Sequence, residues 1–267
     1  MKKYLCLFVL SNVSFASAEI VKEKDQFCQS SKEYITVYRY LEAQKVFSLK
    51  KDDIMKMADV ASKGCTGAAK RFIETNELLI KAGLTAKDAL KISSKFTDKS
   101  DQATETFLTI FKESFLKEYL DIDLKTSIDF ALKLSLETEG DSTMIKNDFQ
   151  KIVKFCTDHN GLDLSGAKCS ELAGKVAASG AKFKLEMNPT FLQHFDFLTD
   201  KSGVDLPTYK ALEISLKLID SGPLSVVNFK DAYKFALSKT GLDLAKNEAI
   251  NYAEVMAQRS KLETRTK

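Results

Sequence analysis

No tryptophan occurs in the 267 residues, and there are only two histidines, three prolines and eleven glycines. So little proline and glycine, set against abundant Lys, Leu, Ala and Glu, excludes a loop-built chain and favours helix throughout. Scarce histidine and the absence of any CxxC pair leave no zinc-type metal site. HExxH, GxSxG, P-loop and dinucleotide-glycine patterns are missing as well, so no cofactor is implied. Forty basic residues face 37 acidic ones with the signs interspersed. That balance lacks the concentrated basic surface of a nucleic-acid binder and the polybasic stretch of a membrane anchor.

The longest apolar run stands at the start. Lys2 and Lys3 precede an apolar stretch from Tyr4 to Val13, and Ala16-Ser17-Ala18 fits a small-x-small cleavage site. Residues 1–18 therefore read as a cleaved secretory signal peptide, too short to remain as a membrane-spanning helix. Cleavage would remove two lysines and lower the formal charge from +3 to +1. The expectation is an exported protein, periplasmic or secreted. Its single helical-repeat domain would span 19–267 with no integral membrane segment, and Gly140-Asp141-Ser142 is where it would divide.

Four cysteines remain after cleavage: Cys28, Cys65, Cys156 and Cys169. An even number in an exported chain points to disulfides. Cys156–Cys169 would bridge a helical corner, and Cys28–Cys65 the open end of the first helix pair. Each bridge contributes on the order of 3–4 kcal/mol through the unfolded state.

The dominant signal is repetition. His159-Asn160-Gly161-Leu162-Asp163-Leu164 returns as Ser202-Gly203-Val204-Asp205-Leu206 and again as Thr240-Gly241-Leu242-Asp243-Leu244. Apolar helical periodicity flanks each copy, so each reads as the corner of a helical hairpin. The expectation is that Gly161, Gly203 and Gly241 take the left-handed conformation ending one helix, and that Asp163, Asp205 and Asp243 cap the next. Aligning Leu49, Leu84, Ile122, Leu164, Leu206 and Leu244 gives spacings of 35, 38, 42, 42 and 38. These spacings predict an all-α fold of stacked antiparallel hairpins, an α-solenoid-like array of about twelve helices. A closed helical bundle is the alternative. The tetratricopeptide pattern of Trp, Leu-Gly and Tyr is absent.

Candidate chemistry is sparse. His159 lies at a corner between Asp158 and Asn160, and His194 on an apolar face within Phe191-Leu192-Gln193-His194-Phe195, and the sequence shows no positioned acid or nucleophile partner for either. The Asp-rich corners miss three requirements of a calcium loop, including the twelfth-position Glu, where Cys169 and Ala211 stand. Phe107, Phe111 and Phe115 recur every four residues as a core stripe. No catalytic, cofactor or metal residue is assigned. Stacked hairpins present extended concave surfaces, and with chemistry motifs missing the expected role is a non-enzymatic scaffold that binds another protein in the periplasm or cell envelope. The alternatives are a carrier holding an apolar ligand or lipid between its helices, and a hydrolase with spatially paired carboxylates.

Overall fold

The computed structural model describes residues 30–44, 48–64, 66–116, 120–137, 142–158 and 161–263, the last of these with side chains to residue 259. The leader at 1–18, Cys28, Cys65 and His159 lie outside the described residues. Among the described residues there are twelve α-helices and no strand.

Six pairs form hairpins. These are α1 (Ser31–Ala43) with α2 (Lys51–Lys63), α3 (Ala68–Lys81) with α4 (Ala86–Ser93), and α5 (Asp101–Phe115) with α6 (Leu124–Leu132). Then come α7 (Ser142–Thr157) with α8 (Gly166–Phe183), α9 (Asn188–Thr199) with α10 (Thr208–Ile219), and α11 (Pro223–Leu237) with α12 (Lys246–Glu263). Every odd helix also packs on the next odd helix, from α1–α3 through α9–α11, while α8 packs on α10 and α10 on α12. The α5–α7 contact crosses the break near residue 140.

A single row of side chains explains why the odd helices line up. Val37, Phe72, Phe107, Phe149, Phe191 and Phe229 are all at most 1% exposed, at intervals of 35, 35, 42, 42 and 38. Burying one such phenylalanine per hairpin contributes roughly 2–3 kcal/mol. A second ring follows one turn later in three hairpins, stacking as Phe107–Phe111, Phe191–Phe195 and Phe229–Tyr233.

The corners correct one expectation from the sequence. The left-handed residue is the aspartate: φ is 47° at Asp163, 54° at Asp205 and 49° at Asp243, and 49° at Asp121 of the glycine-less corner. Aspartate tolerates this region better than most L-residues. The glycines at 161, 203 and 241 are not left-handed. They are needed because a Cβ there would overlap the main-chain carbonyl of Phe155, Phe197 or Phe235. That approach lets the loop close the ending helix. Leu162, Val204 and Leu242 donate to those same three carbonyls, and Leu164, Leu206 and Leu244 donate to Cys156, Leu198 and Ala236. Nor do Asp163 and Asp205 stand at the cap position, since α8 and α10 open after Ser165 and Pro207. Side-chain capping occurs elsewhere: Asp123 accepts from Thr126 N at 3.0 Å and Thr85 from Asp88 N at 3.2 Å.

Candidate functional site

An apolar concavity lies between α4 and α6. Both are short, eight and nine residues, and both continue in a different winding: a 3₁₀ turn at Ser94–Phe96 and a π-helical turn at Lys133–Glu137. Where α8 and α10 pack together, α4 and α6 leave a groove of about 580 Å³. Leu84, Ile92, Leu124, Ile128 and Leu132 form its floor and walls. Helical spacing puts Leu124, Ile128 and Leu132 on one face of α6, opposite Ile92 of α4 and Leu84 in the corner before it. A second hollow of about 530 Å³ continues past Lys95, which lines both, to Leu136, Val60 and Lys63. π-Helical turns of this kind occur frequently at functional sites.

The rim is predominantly cationic. Lys91, Lys95 and Lys125 line the first hollow, and Lys63, Lys95 and Lys99 the second, against Asp88, Asp98 and Asp129. Several of these charges are already engaged. Lys99 meets Asp98 at 3.4 Å, Lys63 meets Asp59 at 2.6 Å, and Asp88 accepts the Thr85 hydroxyl at 2.6 Å. Lys91, Lys95 and Lys125 are exposed and, among the described residues, make no ion pair. The groove thus offers an apolar channel flanked by available ammonium groups.

The titratable groups buried elsewhere are structural. His194 is fully buried between Ser215, 3.2 Å from Nδ1, and the Phe229 ring, which it meets edge-on. Burial, helped by the charge of Lys230, holds its pKa down at about 3, so the ring is neutral at physiological pH. Its Nε2 has no hydrogen-bond partner among the described residues. With Ser215 equally buried, the pair is closed to any substrate. Aligning the hairpins puts His194 where the preceding ones carry Ile110 and Ile152, a core position.

Asp148 and Glu186 come closest to a carboxylate pair, and both accept from Asn188 Nδ2, at 2.7 and 3.3 Å. Burial raises the Asp148 pKa, while hydrogen bonds from Asn147 and Lys151 lower that of Glu186. Asp148 nevertheless receives the free Met187 and Asn188 N–H groups opening α9, at 3.0 and 2.8 Å. It is a helix cap supplied by a neighbouring helix. Glu33 serves α3 likewise, accepting from Gly67 N and Ala69 N. Arg71 ties α2, α4 and α5 together through the carbonyls of Gly64, Thr66, Phe96 and Thr97 and the carboxylate of Asp101.

Cys156 and Cys169, brought together across the α7–α8 corner, are buried free thiols. Cys156 Sγ lies 3.9 Å from the Cys169 carbonyl, and Cys169 Sγ lies 3.7 Å from that of Val153. Hydrogen bonding to Cys169, reinforced by burial, pushes the Cys156 thiol far up, so that sulfur is not poised as a nucleophile. Phe107 and Phe111 are core residues, Phe115 packs against that core, and none of the three lines the groove. No cluster of three or more His, Cys, Asp or Glu able to hold a metal occurs among the described residues, and no described helix is long and apolar enough to cross a membrane.

Fold and site together define an all-α protein of six helical hairpins with a lysine-rimmed apolar groove on its even-numbered helices. No protein-family model matches the chain, and no curated protein or solved structure is significantly similar to it.

Proposed function

We propose that the chain is an exported, non-enzymatic interaction scaffold of the periplasm or cell envelope. Its hairpins stack into an α-solenoid-like array, and the α4–α6 groove receives an acidic amphipathic helix of another protein. The contacts from each odd helix to the next support the array reading over a closed bundle. The groove carries the functional reading, because five aliphatic side chains form a channel and Lys91, Lys95 and Lys125 border it. A helix laid in such a groove buries an apolar stripe spaced i, i+3, i+4 and i+7. Carboxylates flanking that stripe would pair with the lysines and speed the encounter. The channel's openness suits a helix, whereas a lipid carrier must enclose most of its ligand.

The test places a photo-crosslinking residue at Ile92 or Leu132 in the exported protein in cells and identifies what is captured. The expected result is one envelope protein joined through an acidic amphipathic segment. A synthetic peptide of that segment should bind the purified chain and should lose at least tenfold in affinity to the Lys91→Glu/Lys125→Glu variant, on the order of 1.4 kcal/mol. Capture that survives both charge reversals would remove the groove reading. A lipid retained in native mass spectrometry would favour a carrier instead.

A further inference from the structure

The α11–α12 hairpin carries an exposed apolar face whose aromatic counterparts on α7 and α9 meet the next odd helix. Phe155 on α7 packs edge-on against Phe195 on α9, with ring centres 5.6 Å apart. Phe197, its equivalent on α9, packs edge-on against Tyr233 on α11 at 6.0 Å. Lys230 of α11 lies 5.4 Å over that same Phe197 ring and donates to the Gln193 carbonyl at 3.3 Å. Between the even helices, Lys217 on α10 reaches Glu254 on α12 at 3.7 Å. Val204, at the corner between α9 and α10, is 1% exposed.

Advancing each of these positions by 38 residues gives the outer face of α11–α12. Phe235 replaces Phe197 and is half exposed, and Leu242 replaces Val204 and is 41% exposed. Val255 stands where Lys217 stood and Asp231 where Gln193 stood. Leu224 and Val227 extend the row along α11, and both are more than half exposed. Of the eleven large hydrophobic side chains exposed among the described residues, six belong to this hairpin and its corner.

We infer that this face joins two copies of the chain tail to tail about a two-fold axis, with α11 of one copy against α11 of the other. The face occupies the position with which α7 and α9 each receive the next odd helix. Its exposed apolar side chains amount to a few hundred Å², the size at which such patches mark association surfaces. A stable dimer buries roughly 800 Å² per copy, so the polar residues around the apolar patch must join the contact. Asp231 and Lys234 are both exposed and three residues apart, so the face carries both signs. An antiparallel pair of α11 helices can match acid to base, as an isologous contact requires. This inference rests on the repeated hairpin contacts and not on the groove.

Sedimentation analysis of the purified chain over roughly 1–100 µM, the range of a micromolar association, tests it. A monomer–dimer equilibrium is expected. Phe235→Glu and, more mildly, Leu224→Lys should shift it at least tenfold toward monomer with unchanged helical circular dichroism. A Val227→Cys chain should cross-link to its own copy through residue 227, whereas Lys91→Glu/Lys125→Glu should dimerise normally. A wild-type monomer at every concentration, open-ended polymers, or dimers untouched by both surface variants would overturn the inference.

Discussion

Exchanging the roles of two corner residues gives a direct measure of what closes each hairpin. Gly203 and Asp205 stand two residues apart, and a reading based on propensity would make glycine the left-handed residue. In the structure the left-handed residue is Asp205, with φ 54°. At Gly203 a Cβ would overlap the Phe197 carbonyl, which accepts from Val204 N at 2.9 Å. Alanine at 203 must therefore push the loop off the end of α9 and weaken that bond. Forced overpacking costs about 1–3 kcal/mol, with the upper end expected where the obstacle is backbone. For a chain of this size about 3 kcal/mol corresponds to a fall in Tm of roughly 6–12 °C. Glycine at 205 removes a left-handed cost of about 1–2 kcal/mol. It also adds about 0.5–1 kcal/mol of backbone freedom to the unfolded chain. The net effect of Asp205→Gly is therefore between neutral and about 1.5 kcal/mol stabilising. Equilibrium urea unfolding of both variants decides the matter. If Asp205→Gly destabilises more than Gly203→Ala, the division of roles described for the corner is wrong.

Three further outcomes follow from the buried groups. His194 has a pKa of about 3 folded against an ordinary 6.5 unfolded, so protons favour the unfolded chain as pH falls through that window. Its contribution is complete above 6.5 and is lost toward pH 3 at up to about 1.4 kcal/mol per pH unit. His194→Ile, which copies Ile110 and Ile152, should flatten the stability profile there, and an unchanged slope would refute the assignment. Asp148→Ala strands the N–H groups opening α9 and should cost about 2–4 kcal/mol in chemical unfolding, against a reading as an inert surface acid. Asp148 has the opposite pH sign to His194: with its pKa raised in the folded state, its contribution is largest in acid and is lost as pH rises through that folded value. In an exporting cell, a disulfide catalyst would accept two electrons and two protons from Cys156 and Cys169. The chain would then be two hydrogens lighter and stabilised by about 3 kcal/mol. Alkylation of both thiols in denatured, exported protein would show that the bridge does not form.

Much of the architecture was legible because it is written in apolar periodicity. The six hairpins, the Gly222-Pro223 break and the Thr85 cap stand where the sequence pattern puts them. Phe107, Phe149, Phe191 and Phe229 could also have been found by extending the corner alignment inward, since they share its intervals of 42, 42 and 38. The roles of glycine and aspartate were not legible, because they depend on how near a carbonyl six residues away comes to rest. Asp148 was equally hidden: it looks like any polar-face acid until α9 is placed with its open end against it. The groove was invisible for a related reason. Leu124, Ile128 and Leu132 read as an ordinary inward stripe, and only the shortness of α4 and α6 leaves part of that stripe uncovered.

The irregular and regular halves of the chain therefore have different physical jobs. From α5 onward the corners repeat one hydrogen-bond pattern, reaching back eight residues from Ile122, Leu164, Leu206 and Leu244 to Ser114, Cys156, Leu198 and Ala236. At α3–α4 the corner is tighter, and Leu84 reaches back only five residues to Leu79. That change of three residues equals the difference between the Phe72–Phe107 interval of 35 and the neighbouring Leu84–Ile122 interval of 38. The odd helices keep their aromatic row in register, so the slack falls on the even side. There α4 ends in a 3₁₀ turn and α6 in a π turn. Hairpins whose odd helices stay in register can vary on the even side without disturbing the core. Here the variation opens an apolar channel beside three available lysines, where a uniform repeat would have closed it.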